Sequence, residues 1–354
     1  MNFPPFIYEP EKSIEVYNKT KQYLDANPEI NQKIQDLSWV YHSLHNVIPT
    51  TMESFWSGHN FPYNESWDEL QISFNLICFG LYKQAMASLR SALELGLLSV
   101  YYNINDDGHI AVKKWLSSKD VKEADTPKIP EVWKILIKNK NIQKFQETHD
   151  IKERLLNLGF LHNYVHTKGH QFSNKLGRLE SNFQTFEEDY ITKWLNTFEE
   201  IILIVMTLHL LKYPTGLIRY DYSAKFGIDI PSFCHLQEHE IDKLKRYLSE
   251  DYFNLLEDIS LNDEETKNFL EWVDSHPDMS EEDVENQIVD MDKRDIERQG
   301  IEHYKKQQLV LYRSENFEEL PEKVQTRIAN LEKWAIENGF VEPKWKINKA
   351  GNNG

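Results

Sequence analysis

Apolar residues recur at helical spacing along almost the whole chain, and no long run alternates strictly between apolar and polar positions. Short stretches rich in Asn, Asp, Gly and Pro, such as "DANPEINQK", "NINDDGH" and "KYPTGLIRY", separate these segments. No internal repeat of solenoid period is visible. The pattern therefore predicts an all-α fold, a bundle of helices.

Helix starts are marked at several places. Asn64 or Ser66 stands before "WDELQISFNLICFGLY", and Ile129-Pro130 stands before "EVWKILIKN". Ser280 precedes three acidic residues, which the positive end of a helix dipole favours. We expect a helix to begin at each of these positions.

The most apolar stretch is "IILIVMTLHLL", residues 201–211. It is shorter than the roughly 20 residues that span a bilayer, and it contains His209. We therefore predict a buried core helix and no membrane partner. The N-terminus has no pattern of a signal peptide, and two cysteines cannot build a disulfide framework, so a cytoplasmic location is expected.

Composition and charge divide the chain. Around "DYSAKFGIDIPSFC", at about 221–231, it changes to short acidic helices, which predicts a helical bundle over residues 1–222 and an acidic helical C-terminal region over 223–354. The net charge is −17, and residues 237–354 hold 29 acidic and 16 basic side chains. This negative balance argues against nonspecific binding to nucleic acid phosphates. It does not exclude a local basic pocket in the predicted bundle of residues 1–222. The acidic region is expected to be solvated or to contact a protein partner.

Two predicted helices carry charge on their apolar side. On a helical wheel, Met86, Leu93 and Leu97 fall within about 60° of Arg90, and Glu94 lies at about 40°. Because a lone buried charge is costly, an Arg90–Glu94 ion pair is expected. The pair either fixes helix register or lines a pocket.

The segment "RLLNLGFLHNYVHTKGH" holds the other charged set. On one regular helix, Arg154, His162 and His166 share the core-facing half or its border, while Asn163 points the opposite way. His170 follows Gly169, which is expected to end the helix. The histidines are either core-border residues that are hydrogen-bonded to neighbours, or parts of a site.

The side chains of Arg154, His162 and His166 suit acid–base catalysis better than metal binding. Zinc needs three or four ligands, and neither His-Glu-x-x-His nor Glu-x-x-His occurs, so no metal and no cofactor is predicted. A histidine can move a proton near neutral pH, and an arginine can stabilise phosphate charge. We assign His166 as the acid–base residue, His162 as its partner, and Arg154 or Arg90 to phosphate, with Glu94 orienting Arg90. Asn163 and Lys168 are further candidates for phosphate binding or the pocket wall.

At these two helices the chain resembles the HEPN superfamily of helical bundles. "SLRSALELGLLSVYY" resembles its arginine- and glutamate-bearing helix, and "LHNYVHTKG" is similar to its late histidine-bearing helix, over roughly residues 67–214. The resemblance implies a prokaryotic defence, toxin or stress protein that acts on RNA, with two sites across a homodimer. In the family motif, an arginine that is often followed by a polar residue is separated from a histidine by a gap of four to six residues. Here Leu155 follows Arg154, and seven residues separate Arg154 from His162.

Two functions therefore remain open. In the first, the protein binds RNA or a nucleotide and, if it is an enzyme, is a metal-independent endoribonuclease. In the second, it is a non-catalytic scaffold in which Arg90–Glu94 is structural and the acidic C-terminal region binds a partner. A pocket that is open around Arg90, Glu94, His162 and His166 favours the first, and a sealed cluster favours the second.

Overall fold

The computed structural model describes residues 9–49, 59–105, 109–118, 126–177, 184–230 and 233–342, and all regular structure in these ranges is helical. The predicted all-α fold is confirmed for this part of the chain. The first helices are α1 (Pro10–Ala26), α2 (Pro28–His42), α3 (Leu44–Val47), α4 (Phe61–Cys78), α5 (Tyr82–Asn105), α6 (Ile110–Ser117), α7 (Ile129–Leu136), α8 (Lys140–Thr148), α9 (Ile151–Asn157), α10 (Leu161–His166) and α11 (Glu188–Lys212).

The remaining helices are α12 (Ser223–Phe226), α13 (Glu238–Lys245), α14 (Glu250–Asn262), α15 (Glu264–Asp274), α16 (Glu281–Gln299), α17 (Ile301–Leu311) and α18 (Glu322–Glu337). Short 3-10 turns lie at Leu158–Phe160, His170–Phe172, Pro214–Leu217 and Phe317–Glu319.

Two of the three predicted helix starts are confirmed. α7 begins at Ile129 with proline in its first turn, and Ser280 accepts a hydrogen bond from the Asp283 backbone at the start of α16. The prediction for α4 is wrong, because this helix begins at Phe61, and both Asn64 and Ser66 lie inside it. Ser66 is buried and donates a 2.6 Å hydrogen bond to the carbonyl of Ala92, so its hydroxyl joins α4 to α5 instead of capping a helix.

α11 is the central core helix, as predicted. Its residues 201–211 are all buried, and the His209 ring hydrogen-bonds the Val205 carbonyl at 2.8 Å and the Ser99 hydroxyl at 3.1 Å. Among the described helices, α11 alone is long and apolar enough to cross a membrane, and 83% of its most apolar window is buried inside the protein. Core helices pass the same test, so this composition does not locate the chain.

α5 crosses α11 at close range, and Gly96 permits the contact. A β-carbon at Gly96 would lie 2.8 and 2.9 Å from the two methyl groups of Val205 and 3.0 Å from the Tyr41 hydroxyl. Only a residue without a side chain fits this approach. The crossing fixes the position of α5, the helix that carries Arg90 and Glu94.

The chain divides into two compact units. The first comprises residues up to Arg219 together with 232–269, and the second comprises 220–231 together with 270–354. Composition places residues 233–269 in the C-terminal region, but they pack in the first unit, where Leu244, Phe253 and Leu256 are buried in its main core. In the second unit, α16, α17 and α18 bury a separate small core that includes Ile296, Tyr304 and Ile328.

Candidate functional site

The short helix α10 packs against α5 and presents both of its histidines on one side. The imidazole rings of His162 and His166 lie 4.1 Å apart between centroids. His162 is half-buried and His166 is exposed. Two of the three histidines in this segment thus form a pair at the surface of the first unit.

Arg90 and Glu94 form the predicted ion pair on α5. The guanidinium donates to one carboxylate oxygen of Glu94 from Nε at 3.0 Å and from Nη2 at 2.7 Å. The two side chains are 22% and 37% exposed, so the pair lies at the edge of the bundle and not in its interior. It is open to solvent and to a ligand.

His162 interacts electrostatically with the groups around it. Partial burial lowers the pKa of the His162 imidazole, the positive charge of Lys168 and the neighbouring His166 and Arg90 lower it further, and Glu94 opposes them. A lowered pKa favours the neutral imidazole, which can accept a proton. We call His162, His166, Arg90, Glu94 and Lys168 the histidine cluster.

The loop after α10 carries Lys168, whose positive charge acts on His162. Helix α10 ends at His166, earlier than the predicted end at Gly169, because Thr167 adopts a left-handed conformation with φ of 48°. The Thr167 hydroxyl accepts a 2.8 Å hydrogen bond from Lys83 of α5, which ties the loop to the bundle. Asn163 is half-buried on α10, and His170 is exposed in the following 3-10 turn.

Arg154 does not join the histidine cluster through its hydrogen bonds. Its guanidinium donates to both carboxylate oxygens of Glu200, at 2.6 and 2.8 Å, and to the Tyr252 hydroxyl at 3.0 Å. The partners of Arg154 thus lie on α11 and α14. The regular helix assumed from the sequence is interrupted by the 3-10 turn Leu158–Phe160, which changes the direction of the histidines relative to Arg154.

The sequence pattern does not predict Glu200 and Tyr252 as partners of Arg154. One sequence feature does mark Glu200: the charged pair Glu199-Glu200 directly precedes the most apolar stretch of the chain. A carboxylate at the border of such a buried helix is costly unless a cation pairs with it. Nothing in the local sequence points to Tyr252, which lies 98 residues from Arg154.

Within the described ranges, no group of three or more His, Cys, Asp or Glu side chains is arranged to hold a metal ion. The side chains of the histidine cluster can transfer protons and bind an anion. Comparisons of the chain with protein-family models, with curated proteins and with solved structures give no match.

Proposed function

We propose that this protein is a HEPN-like RNA-binding protein of a prokaryotic defence, toxin or stress system, and that it cleaves RNA without a metal ion. The observation that carries the proposal is the histidine cluster, in which one of two paired imidazoles interacts electrostatically with an arginine–glutamate pair and a lysine. Although the chain has a net charge of −17, the cations of this cluster give it local positive charge, which can bind a phosphate.

Proton transfer in this proposal is divided between the two histidines. Neutral His162 accepts the proton of a ribose 2′-hydroxyl, whose oxygen attacks the adjacent phosphorus. The bond from phosphorus to the 5′-oxygen breaks, and His166 donates a proton to that oxygen. The products are a 2′,3′-cyclic phosphate and a free 5′-hydroxyl, so atoms and charge balance without another reactant.

The spacing of the rings supports this division of roles. With ring centroids 4.1 Å apart, His166 is one of the neighbours whose charge lowers the pKa of His162. The lowered pKa favours neutral His162 as the base, which leaves the role of the acid to His166. Arg90 and Lys168 would stabilise the negative charge that builds on the phosphate, and Glu94 holds the guanidinium of Arg90 in place.

A second candidate is a non-catalytic scaffold whose acidic C-terminal region binds a protein partner. One observation favours it: the guanidinium groups of Arg90 and Arg154 both have carboxylate partners already. In that case the ion pairs fix helix positions and the histidines are solvated surface residues. RNA cleavage separates the two candidates.

The experiment compares wild type, His166→Ala and the control His170→Ala on a broad set of single-stranded RNAs, with EDTA present throughout. Both side chains are exposed, so neither substitution opens the core. We expect wild type and His170→Ala to yield 2′,3′-cyclic phosphate ends and His166→Ala to lose at least about a hundredfold in rate. Equal cleavage by all three proteins, or none by any, would reject the catalytic proposal.

A further inference from the structure

A groove between α2 and α4 of the first unit has no assigned role. It encloses about 420 Å³ and reaches down to Phe198 of α11. A hollow of about 250 Å³ continues it and shares Ser38, Trp39 and Trp67 with it. None of the described residues that line either space is Asp, Glu, Lys or Arg, although 27% of the chain is charged. The volume of the groove is that of a small-molecule site, and its uncharged lining suits a ligand that is uncharged where it enters.

Both helices contribute aromatic rings to this groove. Trp39 of α2 is 56% exposed, and Trp67 and Phe74 of α4 are half-buried. Tyr41 stacks on Trp67 with ring centroids 6.1 Å apart and an angle of 20°, which holds the indole in position. Rings from both sides suit a ligand that is flat and apolar on its two faces.

Four side-chain amides line the same groove. Asn31 and Gln35 are one turn apart on α2, and Gln71 and Asn75 are one turn apart on α4. Within the described structure, one amide atom of each remains without a protein partner: Nδ2 of Asn31, Oε1 of Gln35, Oε1 of Gln71 and Oδ1 of Asn75. Amide groups carry both a donor and an acceptor and read the edges of nucleobases.

We propose that this groove binds an unpaired nucleobase. A nucleobase is apolar on its faces, carries hydrogen-bond groups only along its edge, and has no charge at neutral pH. Lys243 adds the charge that a nucleotide needs, because its Nζ lies 5.4 Å from the centroid of the Trp39 ring, at the border of the uncharged groove. The inference rests on the proposed function in taking an RNA strand as the source of the base, and a free nucleoside is the other source.

The test uses the full chain and two probes. Calorimetry measures the binding of adenosine, guanosine, cytidine and uridine, and fluorescence anisotropy measures a labelled single-stranded RNA of mixed sequence. The variants are Trp39→Ala and Lys243→Gln, with Trp272→Ala as the control, because that indole is also about half exposed and lines neither space. Trp39 is exposed, so its truncation leaves the core intact.

We expect Trp39→Ala to weaken RNA binding about 5- to 150-fold, the alanine cost of one stacked base, while Trp272→Ala has no effect. Lys243→Gln should weaken RNA binding and leave nucleoside binding unchanged, since a nucleoside has no phosphate. RNA binding that depends on Trp39 without measurable nucleoside binding identifies the strand as the source. RNA binding that is equal in wild type and Trp39→Ala overturns the inference.

The same proteins separate this inference from the proposed function. Cleavage that needs His166 but not Trp39 would leave the proposed function standing and reject the base-binding groove. Nucleoside binding that needs Trp39 in a protein that cleaves no RNA would do the reverse. Absence of binding to RNA and to nucleosides would reject the groove proposal outright.

Discussion

The contact of α5 with α11 at Gly96 leads to a quantitative prediction. In Gly96→Ala, the new methyl group would lie 2.8 and 2.9 Å from the Val205 methyl carbons, whereas carbon atoms in contact normally lie about 3.5–4.0 Å apart. Val205 cannot turn away, because it is fully buried and a β-branched side chain in a helix has essentially one rotamer. The two helices must therefore separate, or the side chains must strain.

The magnitude follows from three contributions. Overpacking costs about 1–3 kcal/mol, and displacement of the Tyr41 hydroxyl from its hydrogen bond with Ser66 costs about 1 kcal/mol more. The higher helix propensity of alanine returns about 1 kcal/mol. We expect Gly96→Ala to lower the free energy of unfolding of the first unit by about 1–3 kcal/mol.

Hydrogen exchange of the α11 amides measures this change, because these amides report on the first unit. Gly159→Ala is the matched control, since a β-carbon there meets nothing within 4 Å. The control should shift stability by no more than about 0.5 kcal/mol in the destabilising direction. In a Val205→Ala background the penalty of Gly96→Ala should largely vanish. Equal protection of α11 in Gly96→Ala and Gly159→Ala would refute the reasoning.

Three further predictions concern charged groups. Burial lowers the pKa of His209 to about 4, below the unfolded value of about 6.5, so its contribution to stability is complete above pH 6.5 and is lost as the pH falls toward 4. Urea unfolding at pH 7 and pH 4 should show that His209→Gln removes about 3 kcal/mol of this pH dependence, and equal pH dependence in both proteins would contradict the assignment. The bidentate Arg154–Glu200 pair, with side chains 27% and 32% exposed, should give a coupling of about 1–2 kcal/mol in a double-mutant cycle of Arg154→Met and Glu200→Gln. A coupling below about 0.3 kcal/mol would show that the pair does not hold α9 to α11. Glu94→Gln frees Arg90 and should tighten single-stranded RNA binding about 2- to 5-fold at low salt, whereas the scaffold alternative predicts no change.

Contacts that are close in the sequence could be predicted from it. Arg90 and Glu94 are one helical turn apart, so their pairing follows from helix geometry alone. The burial of residues 201–211 follows equally from their apolar composition. The all-α class needed no more than the spacing of apolar residues.

Contacts between distant segments could not be predicted in this way. Arg154 is paired with Glu200, 46 residues away, and a three-residue 3-10 turn shifts the phase between Arg154 and His162 by about 60° relative to a regular helix. The predicted start of α4 is wrong because Ser66, which has the chemistry of a helix cap, makes a tertiary hydrogen bond to Ala92 instead. For Arg154 and for Ser66, a partner that is far along the chain decides the outcome.

The interleaving of the two units along the chain has a consequence for synthesis on the ribosome. Residues 220–231 belong to the second unit, yet they emerge before residues 233–269, which complete the core of the first. Until Phe253 and Leu256 have left the exit tunnel, the apolar surface that they cover stays open. The nascent chain must therefore wait, with the part of α11 that α14 contacts still uncovered, while it makes a segment whose own partners come last.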